Sequence, residues 1–441
     1  MKNRKALALI AILALVAAAC GGSDTADEVV EVEVETTEAP ATTEAPATTA
    51  APSADPLVLA SLMPLSGDLA SLGPGIALGA ALAVEQINAA GGINGQPVVL
   101  IEGDSGCDGA VALTSLNDVI AQGAQGVMGA ACSGTSLAIL DTAIAAEVVM
   151  VSPSNTSPQF TKIDKKGFYA RTAPSDLLQG DVLASLLVED GVQTVSIISR
   201  ADSYGRGLAE ATAAAFEAAG GTVKTIVYHA TDASEFTSEV TAVGKGGADA
   251  IVGILFPETG CGVLQPAFEQ GLLDTPWYMT DGVKDAGLAS LCGLGTALDG
   301  FKGTAPGSAA GEAKDAFEAA YAEVSADGSP TFIFAPQAYD AVMLMAISAA
   351  ANGVTGPEIA SGLVAASSGG EKCIGVACIA LAADGVDVDY VGASGEIELD
   401  AVGDPTAATY DIWTTEGDTN PVLKSVDFGS YSLIRFKKRP D

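Results

Sequence analysis

Val148-Val149-Met150-Val151-Ser152-Pro153-Ser154-Asn155-Thr156-Ser157-Pro158 is the stretch on which the reading of this chain turns. An apolar run (148–151) passes into hydroxyls and an amide gathered between two prolines. In an open α/β sheet, ligands sit at the carboxyl ends of the strands, where loops supply hydroxyls and free backbone N–H groups. The same residues also suit an ordinary Pro/Ser turn. The flanking chain has to decide between the two.

Working outward, strand-like runs at 57–63, 97–102, 125–130 and 147–151 are separated by helical stretches. The first helix is expected over 75–90, with Ile76, Ala80, Ala83, Val84 and Ile87 at helical spacing and Gly91-Gly92 as its stop. After Arg171-Thr172-Ala173-Pro174 the pattern restarts. Helices over 175–189, 204–219 and 234–243 alternate with strands over 194–199, 222–228 and 248–255, and a further strand is expected at 276–280. Such alternation implies parallel sheets with right-handed crossovers. The two sets read as two lobes. Long Ala-rich helices over 317–366 and strand-like alternation over 388–400 imply that the chain crosses between the lobes more than once.

The 441 residues exceed one typical core. Hydrophobic residues make up 49% while aromatics are 5%, a balance that suits helices packed closely on parallel sheets. With 55 Asp+Glu against 20 Lys+Arg, the net charge of -35 repels phosphate backbones, and no nucleic-acid partner is expected.

At the start, Lys2, Arg4 and Lys5 precede a short apolar core (6–16) and Ala17-Ala18-Ala19-Cys20, the pattern of an export signal. The string Val16-Ala17-Ala18-Ala19-Cys20 resembles a bacterial lipobox, in which the Cys is lipidated; Ala17 stands where that pattern usually carries Leu. Residues 21–56 are low in complexity, with Thr36-Thr37-Glu38-Ala39-Pro40-Ala41 repeated over 42–47. Such a segment cannot bury a core and reads as an extended, disordered tether. The expected location is extracytoplasmic, with the membrane reached through the lipid anchor only.

Met63-Pro64-Leu65-Ser66-Gly67, Glu85-Gln86-Ile87-Asn88-Ala89-Ala90-Gly91-Gly92-Ile93-Asn94-Gly95, Ser152 to Pro158, Tyr204-Gly205, Tyr339-Asp340-Ala341 and Tyr390-Val391-Gly392-Ala393-Ser394-Gly395 follow one another in a telling order. The ordered set resembles the leucine/isoleucine/valine-binding family of type I periplasmic binding proteins, the solute receptors of ABC importers, over roughly 57–414. The resemblance implies an α/β fold of two Rossmann-like lobes joined by three crossover segments. The first lobe is expected over 57–173 and 305–390, and the second over 174–304 and 391–436.

It also implies a hinged cleft holding an amino acid, most simply an aliphatic one, or a related small amide. Ser133, Ser154 and Thr156, with Asn155 beside them, match the headgroup positions of the first lobe. Tyr204 matches an aromatic cleft residue, and Asp281 the acid that faces the ligand's ammonium. Phe256 stands where the family often has Tyr, and Leu72 where an aromatic lid is expected. From the residues alone, such a ligand needs donors for its carboxylate, a buried carboxylate for its ammonium and an apolar slot. Expected partners are the permease subunits of an importer, and a monomer is expected. A sensing receptor with the same fold is the alternative, since the fold does not separate the two.

Seven cysteines less Cys20 leave six in an exported chain, which implies disulfides. The resemblance pairs Cys107 with Cys132. Cys373 and Cys378 would close a short local loop beside a pair Cys261 and Cys292, with the pairing of these four left open. Neither a metal nor another cofactor is expected. The one histidine, His229, ends an expected strand in a surface or capping role, and no hydrolase constellation forms around it, so no enzyme activity is expected.

Overall fold

A computed structural model describes residues 55–428. The export signal, Cys20, the tether as far as residue 54 and the tail from 429 lie outside the described residues. Strands β1 (Val58–Met63), β2 (Val99–Asp104), β3 (Gly126–Gly129), β4 (Val149–Ser152) and β5 (Tyr169–Arg171) form one parallel sheet in the order β2-β1-β3-β4-β5. Helices α1 (Gly73–Ala89), α2 (Gly109–Ala121) and α3 (Ser133–Ala145) and the single turn α4 (Gln159–Lys162) make its connections. The buried face of α1 carries Ile76, Ala80, Ala83, Val84 and Ile87, the spacing expected from the sequence. Pro74 starts the helix earlier than expected, since a proline fits the first turn, where no N–H partner is needed.

The second sheet repeats this arrangement. Helices α5 (Asp176–Glu189), α6 (Ser203–Ala218), α7 (Thr237–Gly244), α8 (Pro257–Glu269) and α9 (Leu288–Leu291) accompany β6 (Thr194–Arg200), β7 (Thr222–His229), β8 (Ala250–Ile254), β9 (Trp277–Met279) and β10 (Lys302–Pro306). From β7 to β10 these strands are parallel, in the order β7-β6-β8-β9-β10. In both sheets the strand order reverses beside the first strand, between β1 and β3 and between β6 and β8. Crevices open at such reversals, outside the carboxyl ends of the strands.

The chain then returns to the first sheet through α10 (Glu312–Val324), α11 (Ala335–Asn352), α12 (Gly356–Ala366) and α13 (Ala377–Ala383), with a small sheet of β11 (Glu371–Ile374), β12 (Val388–Gly392) and β13 (Gly395–Glu396). Residues 335–350 of α11 are buried on every side, between α1, α12 and α13 and against β3 and β4. A helix buried all round is a core helix. Beyond the parallel strands, the second sheet gains a hairpin of β14 (Ala408–Thr414) and β15 (Val422–Phe428), with β14 antiparallel to β10.

Arg171 ties the last crossover to the stretch 152–158. Its Nε donates to Asp404 Oδ1 at 2.9 Å and its Nη2 to Asp404 Oδ2 at 2.6 Å, while Nη1 donates to the carbonyls of Asn155 and Ser157 at 3.0 Å each. The guanidinium is fully buried, and the fork geometry satisfies both charges. His229 is buried, contrary to the surface role expected for it; its ring packs on Phe236 with centroids 4.5 Å apart, because β7 ends under the loop that enters α7.

Candidate functional site

A small cavity lies between the carboxyl ends of the two sheets, and both walls follow from strand ends. On the first wall, β1 runs into a loop that carries Leu69 and Leu72, and Ile76 follows in the first turn of α1. Asp104, at the end of β2, fixes this loop by accepting from the backbone of Leu65 at 2.9 Å and the hydroxyl of Ser66 at 2.5 Å. Ala131 and Ser133 come from the junction of β3 with α3, and Ser154 from the loop after β4. Ser133 is the first residue of α3, and no side chain caps that helix, so its first-turn N–H groups are oriented donors beside the serine hydroxyl.

On the second wall stand Tyr204 from the first turn of α6, Phe256 at the junction of β8 with α8, and Asp281 and Gly282 after β9. Asp202 caps α6 by accepting from Gly205 N at 2.9 Å, which sets Tyr204 at the strand end. The Tyr204 and Phe256 rings stack at 5.4 Å. Tyr204 donates from its hydroxyl to Asp281 Oδ1 at 2.9 Å, and Gln179 Nε2 donates to the same oxygen at 2.7 Å. Burial pushes the Asp281 carboxyl up to about 6, with the two hydrogen bonds pulling the other way. Asp176, one turn before Gln179 on α5, is also buried, with the Thr156 hydroxyl beside its carboxyl. Burial first, and then the charge of Asp281, push its carboxyl well above the usual range.

Of the eight expected binding residues, the cavity gathers Ser133, Ser154, Tyr204, Phe256, Asp281 and Leu72. Asn155 and Thr156 do not line it. Asn155 is fully buried behind the wall, its amide donating to Ala130 O at 3.0 Å and Ala131 O at 2.8 Å and accepting from the Tyr169 hydroxyl at 2.9 Å. Thr156 is also fully buried; its carbonyl accepts from Asp176 N at 2.7 Å and its hydroxyl lies beside the Asp176 carboxyl. Of the three polar neighbours only Ser154 reaches the cavity.

Leu69, Ile76, Ala131, Gly282 and Phe334 complete the lining without having been expected. Leu69 and Ile76 flank Leu72 in the sequence and share its apolar pattern, which was the available signal. Phe334 leads into α11 with a left-handed backbone (φ 61°), a placement no sequence pattern marks.

Three disulfides are formed, Cys107 with Cys132, Cys261 with Cys292 and Cys373 with Cys378. The first places Ser133 directly beside a crosslink to the loop after β2. Among the described residues no group of three or more His, Cys, Asp or Glu side chains is placed to hold a metal ion, and no helix is long and apolar enough to cross a membrane.

Residues 56–372 match the periplasmic binding protein family. An amino acid binding protein of Pseudomonas aeruginosa is 34% identical over 238 residues, which are 52% of this chain and 62% of that protein, so the match spans less than two thirds of its length. The leucine-, isoleucine-, valine-, threonine- and alanine-binding protein of the same organism is 29% identical over 67% of this chain and 78% of its own. Among solved structures, a leucine binding protein, LivK, of Thermotoga maritima superposes with a TM-score of 0.71 at 21% identity, covering 84% of this chain and 98% of that one, a likeness of fold.

Proposed function

We propose, from the premise that this chain belongs to the periplasmic binding protein family, that it is an extracytoplasmic receptor for an aliphatic amino acid or a related small amide, which it delivers to an ABC importer. The observation that carries the reading is the pairing of Asp281 on one wall with Ser133 and the α3 N-terminus on the other, across an apolar slot of Leu69, Leu72, Ile76, Phe256 and Phe334. Asp281 takes the ammonium: both hydrogen bonds it accepts from Gln179 and Tyr204 fall on Oδ1, which leaves Oδ2 for a ligand. The Ser133 hydroxyl and the first-turn N–H groups of α3 take the carboxylate. The slot takes the side chain. Thr156 and Asn155 support the wall and leave the headgroup to Ser133 and Ser154.

The two lobes follow the two sheets: β1 to β5 with the returning stretch through β13 make the first, and β6 to β10 with the hairpin of β14 and β15 the second, so β10 (Lys302–Pro306) and β12 (Val388–Gly392) each run across a boundary expected from the sequence, at 305 and at 391. The site binds without transforming its ligand, since it offers no nucleophile and base pair. Cys20 anchors the chain through a lipid, and the 21–56 tether lets a monomer reach the permease. A thermal-shift screen of amino acids, short amides and urea tests the reading. A ligand at 100 times its dissociation constant stabilises by about 2.7 kcal/mol; a screen in which no such solute raises the melting temperature rejects it.

A further inference from the structure

The loop that carries Leu69 and Leu72 does more than wall the cavity. Asp68, one residue before Leu69, belongs to the first sheet's side, yet every hydrogen-bond partner of its carboxylate comes from the second. Thr259 N donates to Oδ1 at 2.9 Å and Thr259 Oγ1 to Oδ2 at 3.1 Å, and Arg200 forms an ion pair with Oδ2. Three residues on, Ser71 N donates to Glu258 Oε1 at 2.9 Å. Glu258 and Thr259 are in the first turn of α8.

No side chain of its own segment caps that helix. Helix α5 is capped by Ser175 and α6 by Asp202, each within its own chain segment. The residue before α8 is Phe256, which has no side-chain oxygen, and Pro257 follows it. Thr259 is the third residue of the helix, the position whose N–H an N-cap side chain normally satisfies. Asp68 supplies that acceptor from across the cleft.

Arg200 links this contact to the cavity. Its Nε donates to Asp202 at 2.8 Å, its Nη1 to Thr259 Oγ1 at 3.1 Å, and its guanidinium lies 3.9 Å from the centroid of the Phe256 ring, which lines the site. The Arg200 side chain is 3% exposed and that of Asp68 15%, so the pair is shielded from solvent in this closed arrangement.

We propose that Asp68 is a closure latch: a helix cap for α8 donated in trans by the opposite lobe, made only when the cleft is shut, which sets how long the ligand is held without touching it. The inference rests on the receptor reading above. When the lobes part, water replaces Asp68 at the α8 N-terminus, and Arg200 keeps Asp202. The latch therefore favours the closed state alone, and a contact present only there slows ligand release. Because Asp68 does not line the cavity, it acts equally on every ligand that lets the cleft close.

Stopped-flow dissociation of leucine and of valine from wild type, Asp68→Asn, Arg200→Gln and the double variant tests this. The expected result is release of both ligands about 10- to 100-fold faster in Asp68→Asn, an unchanged leucine-to-valine affinity ratio, and a double variant well short of the product of the single effects. Unchanged release rates, or a shifted ratio, overturn the latch. Should wild type bind no amino acid, the function proposed above fails, and the latch is read instead by closure itself. Ser157→Cys places a thiol on the opposite side of the cleft from Ser203, whose carbonyl accepts from the Ser157 hydroxyl at 3.0 Å. Ser157 is buried while the cleft is shut, so a thiol placed there should react with a monofunctional alkylating reagent several-fold faster when Asp68→Asn is added; equal rates overturn the proposal.

Discussion

Replacing Asp281 by Asn removes a charge and little else, because the amide oxygen can still accept from Tyr204 and Gln179. The carboxylate is 3% exposed, so a ligand ammonium that meets it is desolvated on both sides. Truncating one member of such a pair costs on the order of 2 to 5 kcal/mol, much of it the penalty of the charge left alone. That corresponds to roughly 30- to 4000-fold weaker binding. The pH dependence sharpens the test. Burial holds the carboxyl at about 6, so below that pH the ligand-free site is protonated, and an ammonium must first displace the proton. Wild-type affinity is therefore expected to fall as pH drops below 6, about tenfold per unit, and to level off above it. In Asp281→Asn this slope disappears. Calorimetry with leucine at pH 5, 6 and 7.5 measures both effects. Binding by the variant as tight as wild type at pH 7.5, or a slope that survives the substitution, refutes the assignment of the ammonium to Asp281.

The other elements give simpler expectations. On the chain-entropy estimate, serine substitution of Cys107 and Cys132, 25 residues apart, should cost about 3.5 kcal/mol of stability, and that of Cys373 and Cys378, 5 apart, about 2 kcal/mol, with denaturant midpoints as the measure. Arg171→Met leaves Asp404 with Lys165, 3.5 Å away, and the Thr161 hydroxyl, but it orphans the buried carbonyls of Asn155 and Ser157 and should cost about 1 to 3 kcal/mol in the same assay. Cys20→Ser should move the protein from the membrane fraction to the soluble one while leaving ligand affinity unchanged; a variant that stays with the membrane contradicts the anchor.

The fold was legible because parallel strands covered by helices are apolar along their whole length, and the glycine and proline stops between them are local signals. The same property blurred the ends: the run 248–255 continues past β8, which stops at Ile254, since Leu255 and Phe256 are buried as the chain turns into α8. At the site, residues that sit at strand ends could be found, as with Ser133, Tyr204 and Asp281. What a sequence does not encode locally is which way a loop side chain faces, and so Asn155 and Thr156 were grouped with Ser154. Nor does it announce pairings across the cleft. Asp68 and Arg200 are 132 positions apart, and Asp68 reads as an ordinary turn residue until the two lobes are seen together.

Gln179 and Asp176 raised no signal either, and Asp176 poses a question of charge. One ammonium can neutralise one carboxylate, yet two buried acids stand on this side of the cleft. Asp176 has at most the Thr156 hydroxyl beside it, whereas Asp281 has two donors on one oxygen. A carboxylate is ionised most easily where donors surround it, so the charge belongs to Asp281, and its field pushes Asp176 further toward the protonated form. Asp176 is then a neutral acid at neutral pH, and Asp176→Asn exchanges one uncharged group for another of similar size. Its stability should fall by about 1 to 3 kcal/mol, because the amide brings an extra buried donor. Its affinity for leucine at pH 7.5 should stay within about threefold of wild type, as expected for a change that leaves the charge facing the ligand untouched. Titration calorimetry on Asp176→Asn beside Asp281→Asn separates the two acids. If the first loses as much affinity as the second, the negative charge is shared between them, and the ammonium is held by the pair rather than by Asp281 alone.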